Sequence, residues 1–179
     1  NKDARLVELV LRESTALVRA APNILITRHR LGFVMANAGI DQSNIGTVGE
    51  EWVLRLPDDP DRSARDIRAG IAAASGQRIG VVISDSFGRP WREGVTGVAI
   101  GAAGVASIRD QRGRPDRDGR ALEVTRVAWA DAIAAAAGLA MGEAAEGVPM
   151  ALLRGVDPHL EEETHAQALV RPLEQDLFR

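Results

Sequence analysis

The chain has no cysteine. Disulfides, thiolate catalysis and cysteine-based zinc sites are therefore excluded. Aromatic residues make up only 3% of it, so the core must be built from Ala, Val, Ile and Leu. No apolar run approaches the roughly 20 residues that a membrane-spanning helix needs, and no secretory signal pattern opens the chain. The cytoplasm is the expected location. Neither sign of charge dominates: 22 basic residues face 25 acidic ones, for a net charge of −3. Binding to nucleic acid or to a membrane surface through bulk charge is not expected. There is no G-x-x-x-x-G-K-S/T loop, so a nucleotide would not be held by the common phosphate loop. Gly94, Gly97, Gly101 and Gly104 lack the G-x-G-x-x-G order of a dinucleotide fingerprint. Small residues at that spacing suit close approach of backbone to backbone, or of backbone to a ligand.

What is present is a 179-residue chain, 45% hydrophobic, of ordinary globular composition. It opens at Asn1-Lys2-Asp3 without an initiator Met, which reads as the interior of a longer protein. Leu6, Val10 and Leu17 recur near helical spacing and predict a helix from Asp3 to Ala20, ended by Pro22. Asn23 to Thr27 and Gly32 to Ala36 read as strands joined by the turn Arg28-His29-Arg30. Trp52 to Leu56 reads as a strand. Asp61 or Ser63 caps a helix running to about Ser75. Ile108 to Arg120 is a polar loop rich in arginine, Leu122 to Val127 a strand, and Asp131 to Met141 an Ala-rich helix with Gly142 at its C-cap. Met150 to Leu153 reads as a short buried strand, Val156 to Thr164 as an acidic loop, and Ala166 to Arg179 as a closing segment with a short helix. The fold class is α/β in the mixed, α+β sense.

The richest stretch is 81–94. Ile79 to Ile83 is an apolar, β-branched run expected to form a buried strand. It delivers Ser84, Asp85 and Ser86 at its end, and a turn region with Arg89, Trp91 and Arg92 follows. A carboxylate and hydroxyls beside guanidinium groups suit a divalent cation and a phosphate. Two further acidic positions stand out: Asp41, with Asn44, in the loop Asn37 to Asn44, and Glu143 after the late helix. Hard cations take oxygen ligands of this kind from separate loops. The same residues also fit plainer roles: Asp41 as a turn residue, Asp85 and Ser86 as a helix cap, Glu143 as a solvated charge. Arg89 and Arg92 fit either a phosphate or carboxylate clamp or a surface ion pair. Gly142 to Val148 fits either a nucleotide contact or a simple connection. His29, His159 and His165 have no metal-binding spacing and are assigned to the surface.

Several segments together resemble the coenzyme F-420 γ-glutamyl ligase family. They are Asn37-Ala-Gly-Ile-Asp-Gln-Ser-Asn44, Ile83-Ser-Asp-Ser-Phe-Gly-Arg-Pro-Trp-Arg92, Ala99-Ile-Gly-Ala-Ala-Gly104, Gly119-Arg-Ala-Leu-Glu-Val-Thr125 and Met141-Gly-Glu143. The likeness runs in order from about Leu11 to Val170. It implies an enzyme that joins L-glutamate to a deazaflavin coenzyme F-420 precursor at the expense of GTP. It implies two subdomains, an intertwined homodimer, and one or two divalent cations, Mn²⁺ or Mg²⁺, with a potassium ion also allowed. Asp41 and Asp85 match carboxylate ligands of a cation, and Ser86 and Glu143 match positions beside a second. Asn44 matches a GTP contact, and Gly142, Glu143, Ala144, Ala145, Glu146, Gly147 and Val148 match a nucleotide-binding stretch. Arg89 and Arg92 are the candidate catalytic residues, stabilising charge or orienting a carboxylate.

The family pattern also has an earlier GTP-holding part upstream of the position of Asn1, so residues 1–179 read as a ligase domain without it. Ala132 stands where the family often has Glu, and the residues up to Arg179 are read without the C-terminal reductase domain that some relatives carry. The implied chemistry proceeds through an acyl phosphate and releases GDP and phosphate. A metal-dependent phosphotransferase or phosphohydrolase on the same scaffold, and a non-catalytic binding module, are the alternatives.

Overall fold

The computed structural model describes residues 2–45, 51–157, 159 and 161–176. The chain divides into two compact units, Asn1–Asp58 with Phe87–Val95, and Asp59–Ser86 with Thr96–Arg179. The mixed α/β class holds.

In the first unit, Asp3 caps helix α1 (Ala4–Arg12) by accepting from the Arg5 amide at 2.8 Å, and Val10 is its buried anchor. The expected helix to Ala20 stops eight residues early. From Ser14 the chain becomes strand β1 (Ser14–Ala21), antiparallel to β2 (Ile24–His29), which pairs in turn with β3 (Val34–Ala36). The turn at Pro22-Asn23 places Asn23 at φ 63°, a conformation Asn tolerates better than most residues. It folds β1 back on β2, and that pairing overrides local helix preference. β2 ends two residues into the expected turn, so His29 is a strand residue. It is fully buried, as is Thr27 two positions earlier on the same face. The surface assignment of His29 is therefore corrected. Trp52 to Leu56 forms no strand, only a single bridge between Leu54 and Asp41. Phe87 meets Phe33 edge-on at 5.8 Å between ring centres.

In the second unit, helix α2 (Pro60–Ser75) is capped by Asp59, not by Asp61 or Ser63. Pro60 takes the first helical position, where its missing N–H costs nothing, and Gly76 closes the helix in the left-handed conformation. β4 (Val81–Arg89) and β5 (Arg92–Ala103) form a hairpin. β4 is longer than expected, and Ser84, Asp85 and Ser86 lie within it, not at its end. The chain reverses at Pro90-Trp91, with Trp91 at φ 62°, which is the type II pattern of Pro followed by positive φ. β6 (Ile108–Asp110) pairs with β7 (Arg126–Ala128). The expected loop thus begins as a strand, and the strand expected at Leu122 to Val127 starts only at Arg126. Helix α3 (Trp129–Met141) ends at Gly142 as expected. Met150 to Leu153 forms no strand, and Met150 and Leu152 are exposed. The closing segment contains two short 3-10 turns, Ala166–Leu169 and Leu173–Gln175. The part of that segment at 177–179 lies outside the described residues.

The glycines of β5 explain how this unit packs. Gly97 and Gly101 share one face of the strand with Ala99 and Ala103. A Cβ on Gly97 would sit 2.6 Å from the Ala134 carbonyl oxygen of α3, and one on Gly101 2.4 Å from that of Pro60 in α2. The strand thus lies directly on two helix backbones. Two of its amides donate to carboxylates in the first turns of those helices: Ala99 to Asp131 at 2.9 Å, and Ala102 to Asp61 at 2.8 Å. Gly97→Ala should destabilise the chain by roughly 1–3 kcal/mol, because the neighbour it meets is backbone and cannot turn aside. Urea denaturation checks this, and an unchanged midpoint would contradict the packing.

Candidate functional site

The sequence-singled residues fall in both units. In the first, the loop 37–44 carries unusual backbone. Asn37, Ala38 and Gly39 take φ 50°, 52° and 67° in succession, and Asn44 takes 54°. Ala38 is buried in that conformation, which costs a non-glycine residue of the order of 1 kcal/mol or more. The loop is held by Asn37, whose Oδ1 accepts from the Leu25 amide at 3.1 Å, and by the Asp41–Leu54 bridge. The Asp41 Oδ1 accepts from the amides of Gln42 and Ser43 at 2.7 and 2.9 Å. Partial burial opposes ionisation of Asp41. The amides of Ser43 and Gln42, with the Ser43 hydroxyl, outweigh it and hold the carboxyl below its ordinary range. Asp41 is therefore an anion at neutral pH, on an exposed and locally strained loop.

Arg89 and Arg92 flank the hairpin turn. Arg89 is half-buried and donates through Nη2 to the Glu93 carbonyl at 3.4 Å, while Arg92 is exposed. Arg89 Nε is buried without a hydrogen-bond partner, a donor left over that an anion would satisfy. Trp91 between them is almost fully exposed.

In the second unit the structure brings two of the candidates together. Ser86 Oγ donates to Glu143 Oε2 at 2.6 Å, across 57 positions of sequence. Neither the strand nor the helix end predicts that pair by itself. Asp85 precedes Ser86 on the same strand, so strand alternation sends the two side chains to opposite faces. Glu143 opens the segment to Val148, which is exposed throughout. Gly142 starts that segment at φ 75°, ψ 179°, a region open essentially to glycine alone. Glu146 folds back to accept from the Ala144 amide at 2.8 Å. That bond and its own amide keep its carboxyl below the ordinary range. Among the described residues, no three of His, Asp and Glu gather as a metal-holding group. The donors on offer are carboxylate and hydroxyl oxygens without nitrogen or sulfur, a set that fits Mg²⁺ or Mn²⁺ better than softer ions.

Sequence reading missed several buried polar residues. Asp61, one of the two expected caps, is buried and accepts from Ala102 and Ala166, each at 2.8 Å. Asp131 is held above its ordinary range by burial, only partly offset by the Ala99 amide. Arg109, counted with the loop arginines, lies on β6 with its guanidinium 4.5 Å from the Trp129 ring centre. His159 meets the edge of that ring at 5.6 Å, so it too is more than a surface residue. Among the described residues, no helix is long and apolar enough to cross a membrane.

Comparison with known proteins agrees with the motifs. The family model described as F420-0:Gamma-glutamyl ligase matches residues 1–155. A protein of Methanopyrus kandleri named Coenzyme F420:L-glutamate ligase is 48% identical over 181 residues, covering 99% of this chain and 71% of that relative. The protein of the same name from Methanothermobacter thermautotrophicus is 48% identical, covering 99% and 70%. The one from Archaeoglobus fulgidus is 42% identical, covering 99% and 69%. A family-model match over residues 1–155, with identity at this level along nearly the whole chain, places this chain in the F420-0:gamma-glutamyl ligase family.

Proposed function

We propose that this chain is the ligase domain that joins L-glutamate to a deazaflavin coenzyme F-420 precursor, with GTP as the energy source. The reading rests on family membership. The observation that carries it at the level of residues is the Ser86–Glu143 pair, two family-matched oxygen donors brought within 2.6 Å. Ser86 and Glu143 would hold one divalent cation. Asp85, on the opposite face of β4, and Asp41, ionised on its strained loop, would each serve as a carboxylate ligand. When bound, such a cation neutralises charge on phosphate oxygens. Asn44 and the stretch Gly142 to Val148, exposed from Glu143 on, would contact the nucleotide.

In the proposed reaction a carboxylate oxygen of the precursor attacks the γ-phosphorus of GTP, and GDP leaves. The glutamate amine then attacks the acyl carbon, phosphate leaves with the bonding pair, and the amine gives up a proton. Arg89 or Arg92 would bind developing negative charge or orient a carboxylate; the unpartnered Arg89 Nε supports this. A homodimer is part of the proposal. Exposed Leu139, Met150 and Leu152 support it, since apolar groups left in water favour burial by a second copy.

The test is an assay of the full-length protein with GTP, Mn²⁺, glutamate and the precursor. Asp85→Asn should lower kcat by roughly 10²–10³-fold, as expected for losing several kcal/mol of charge stabilisation. Full activity in that variant would remove Asp85 from the metal site. GDP release at the same rate without glutamate would replace the ligase reading with a phosphohydrolase.

A further inference from the structure

Beyond the ligase reading, and independent of it, the second unit contains a cavity of about 510 Å³ lined by Arg65, Arg68, Arg78 and Glu162 over a floor of Ala69, Ala72, Ala103 and Gly104. It adjoins the start of β4, and roughly 17 Å of extended chain separates Val81 from Ser86. It is therefore not the Ser86–Glu143 corner. Three guanidinium groups face one carboxylate there.

Arg68 is positioned by the fold. Its Nε donates to the Ile79 carbonyl at 2.9 Å. The guanidinium lies against Gly104, at φ 66°, where any Cβ would come within 2.1 Å of Arg68 Nε. Its two terminal nitrogens both reach Glu162, at 3.1 and 3.3 Å. Arg78 donates to Glu162 as well. One carboxylate thus fills the fork of a pre-set guanidinium and shares a second. That arrangement is the way arginine recognises carboxylate and phosphate oxygens. Glu162 belongs to a stretch without helix or strand and is more than half exposed, so little holds it there besides the arginines. Among the described residues, Arg65 has only a loose pair with Asp59 at 3.8 Å.

We propose that this cavity is a binding site for a small organic oxyanion, a carboxylate or a phosphate ester, and that Glu162 occupies it as an internal stand-in that the ligand displaces. The alanine and glycine floor leaves room for a short aliphatic body, and the volume lies in the usual range for small-molecule sites.

Glutarate and inorganic phosphate serve as probes, titrated by calorimetry into the whole protein. Glu162→Gln removes the competing carboxylate and should tighten binding of at least one probe about 10-fold. Arg78→Gln, an exposed change with little risk to folding, should weaken the same probe by a similar factor. Glu161→Gln and Glu163→Gln remove equal charge nearby and should change nothing. Tightening for glutarate alone marks a carboxylate site, and for phosphate alone a phosphate-ester site; both outcomes support the proposal. It is overturned if neither probe binds Glu162→Gln in a saturable way. It is equally overturned if all three glutamine variants at 161–163 act alike, which reduces the effect to bulk charge, or if Arg78→Gln binds as wild type.

Discussion

Replacing Asp61 with alanine should cost the folded chain about 3–5 kcal/mol. Asp61 Oδ1 is the acceptor for two backbone amides, Ala102 in β5 and Ala166 in the closing segment, each at 2.8 Å and both at buried residues. Removing the carboxylate leaves two donors without water or protein to meet them, at roughly 1–3 kcal/mol each. The loss joins distant parts of one unit, because residues 61, 102 and 166 meet nowhere else in sequence. Asp61→Asn keeps an oxygen at the same place and should restore most of the stability. Urea denaturation of the three proteins measures this. Equal loss in Asn and Ala would show that charge, not acceptance from the amides, is what matters.

The second large effect lies in the first unit. Glu13 is buried and accepts from Arg55 Nη1 at 2.5 Å and Arg30 Nε at 3.1 Å. The double variant Arg30→Ala with Arg55→Ala leaves the carboxylate stranded, and should cost about 3–5 kcal/mol near pH 8. The pH dependence of the wild type follows from the same cluster. Burial pushes the Glu13 carboxyl up, but Arg55 and Arg30 together bring it below its ordinary value of 4.5. A group lowered on folding stabilises above its unfolded pKa and loses that contribution as pH falls through the folded one.

His29 is lowered too, chiefly by burial and by Arg30, against the opposing pull of Glu13. Its Nδ1 accepts from the Leu31 amide at 3.0 Å, so its proton sits on Nε2, 3.5 Å from Glu13. For a histidine lowered from 6.5 the unfolded chain binds the proton first, and stability drops as pH falls below 6.5. Two stages are therefore expected on acidification, the first beginning near pH 6.5 and the second below 4.5. Denaturation midpoints across pH 3 to 8 check this, and His29→Asn should remove the first stage only. A midpoint that is flat between pH 7 and 5 would contradict the histidine assignment.

Local chemistry explains which parts of the fold the sequence could reveal. Asp3, Pro60, Gly76 and Gly142 act through their own backbone neighbours, so helix starts and stops near them were legible or nearly so. The expected caps, Asp61 or Ser63, lie inside the helix that Asp59 caps, and Pro60 at the first helical position is the local signal for Asp59. Residues Ser14 to Ala21 form a strand where the spacing predicts helix, because the choice between the two is made by partners far along the chain. Leu17 keeps helical spacing with Val10, but the partner that decides is β2. Strand alternation would have shown that Ser84, Asp85 and Ser86 cannot all face one way. The motif segments were visible as sequence, whereas the Ser86–Glu143 contact joins positions 57 apart and exists only in the fold. Likewise, nothing in the spacing of Glu13, His29, Arg30 and Arg55 signals a shared buried cluster.

The hairpin of β4 and β5 has a bearing on how the chain matures. Its tip, Phe87 to Val95, belongs to the first unit, while its stems belong to the second. A ribosome finishes residues 1–58 long before it reaches Phe87, the ring that meets Phe33. The first unit must therefore wait, with Phe33 uncovered on that side, until all of α2 and most of β4 have been made. A fragment cut after Asp58 would keep this gap permanently. No single cut in the chain therefore releases the first unit whole, because its residues lie on both sides of α2 and the β4 stem.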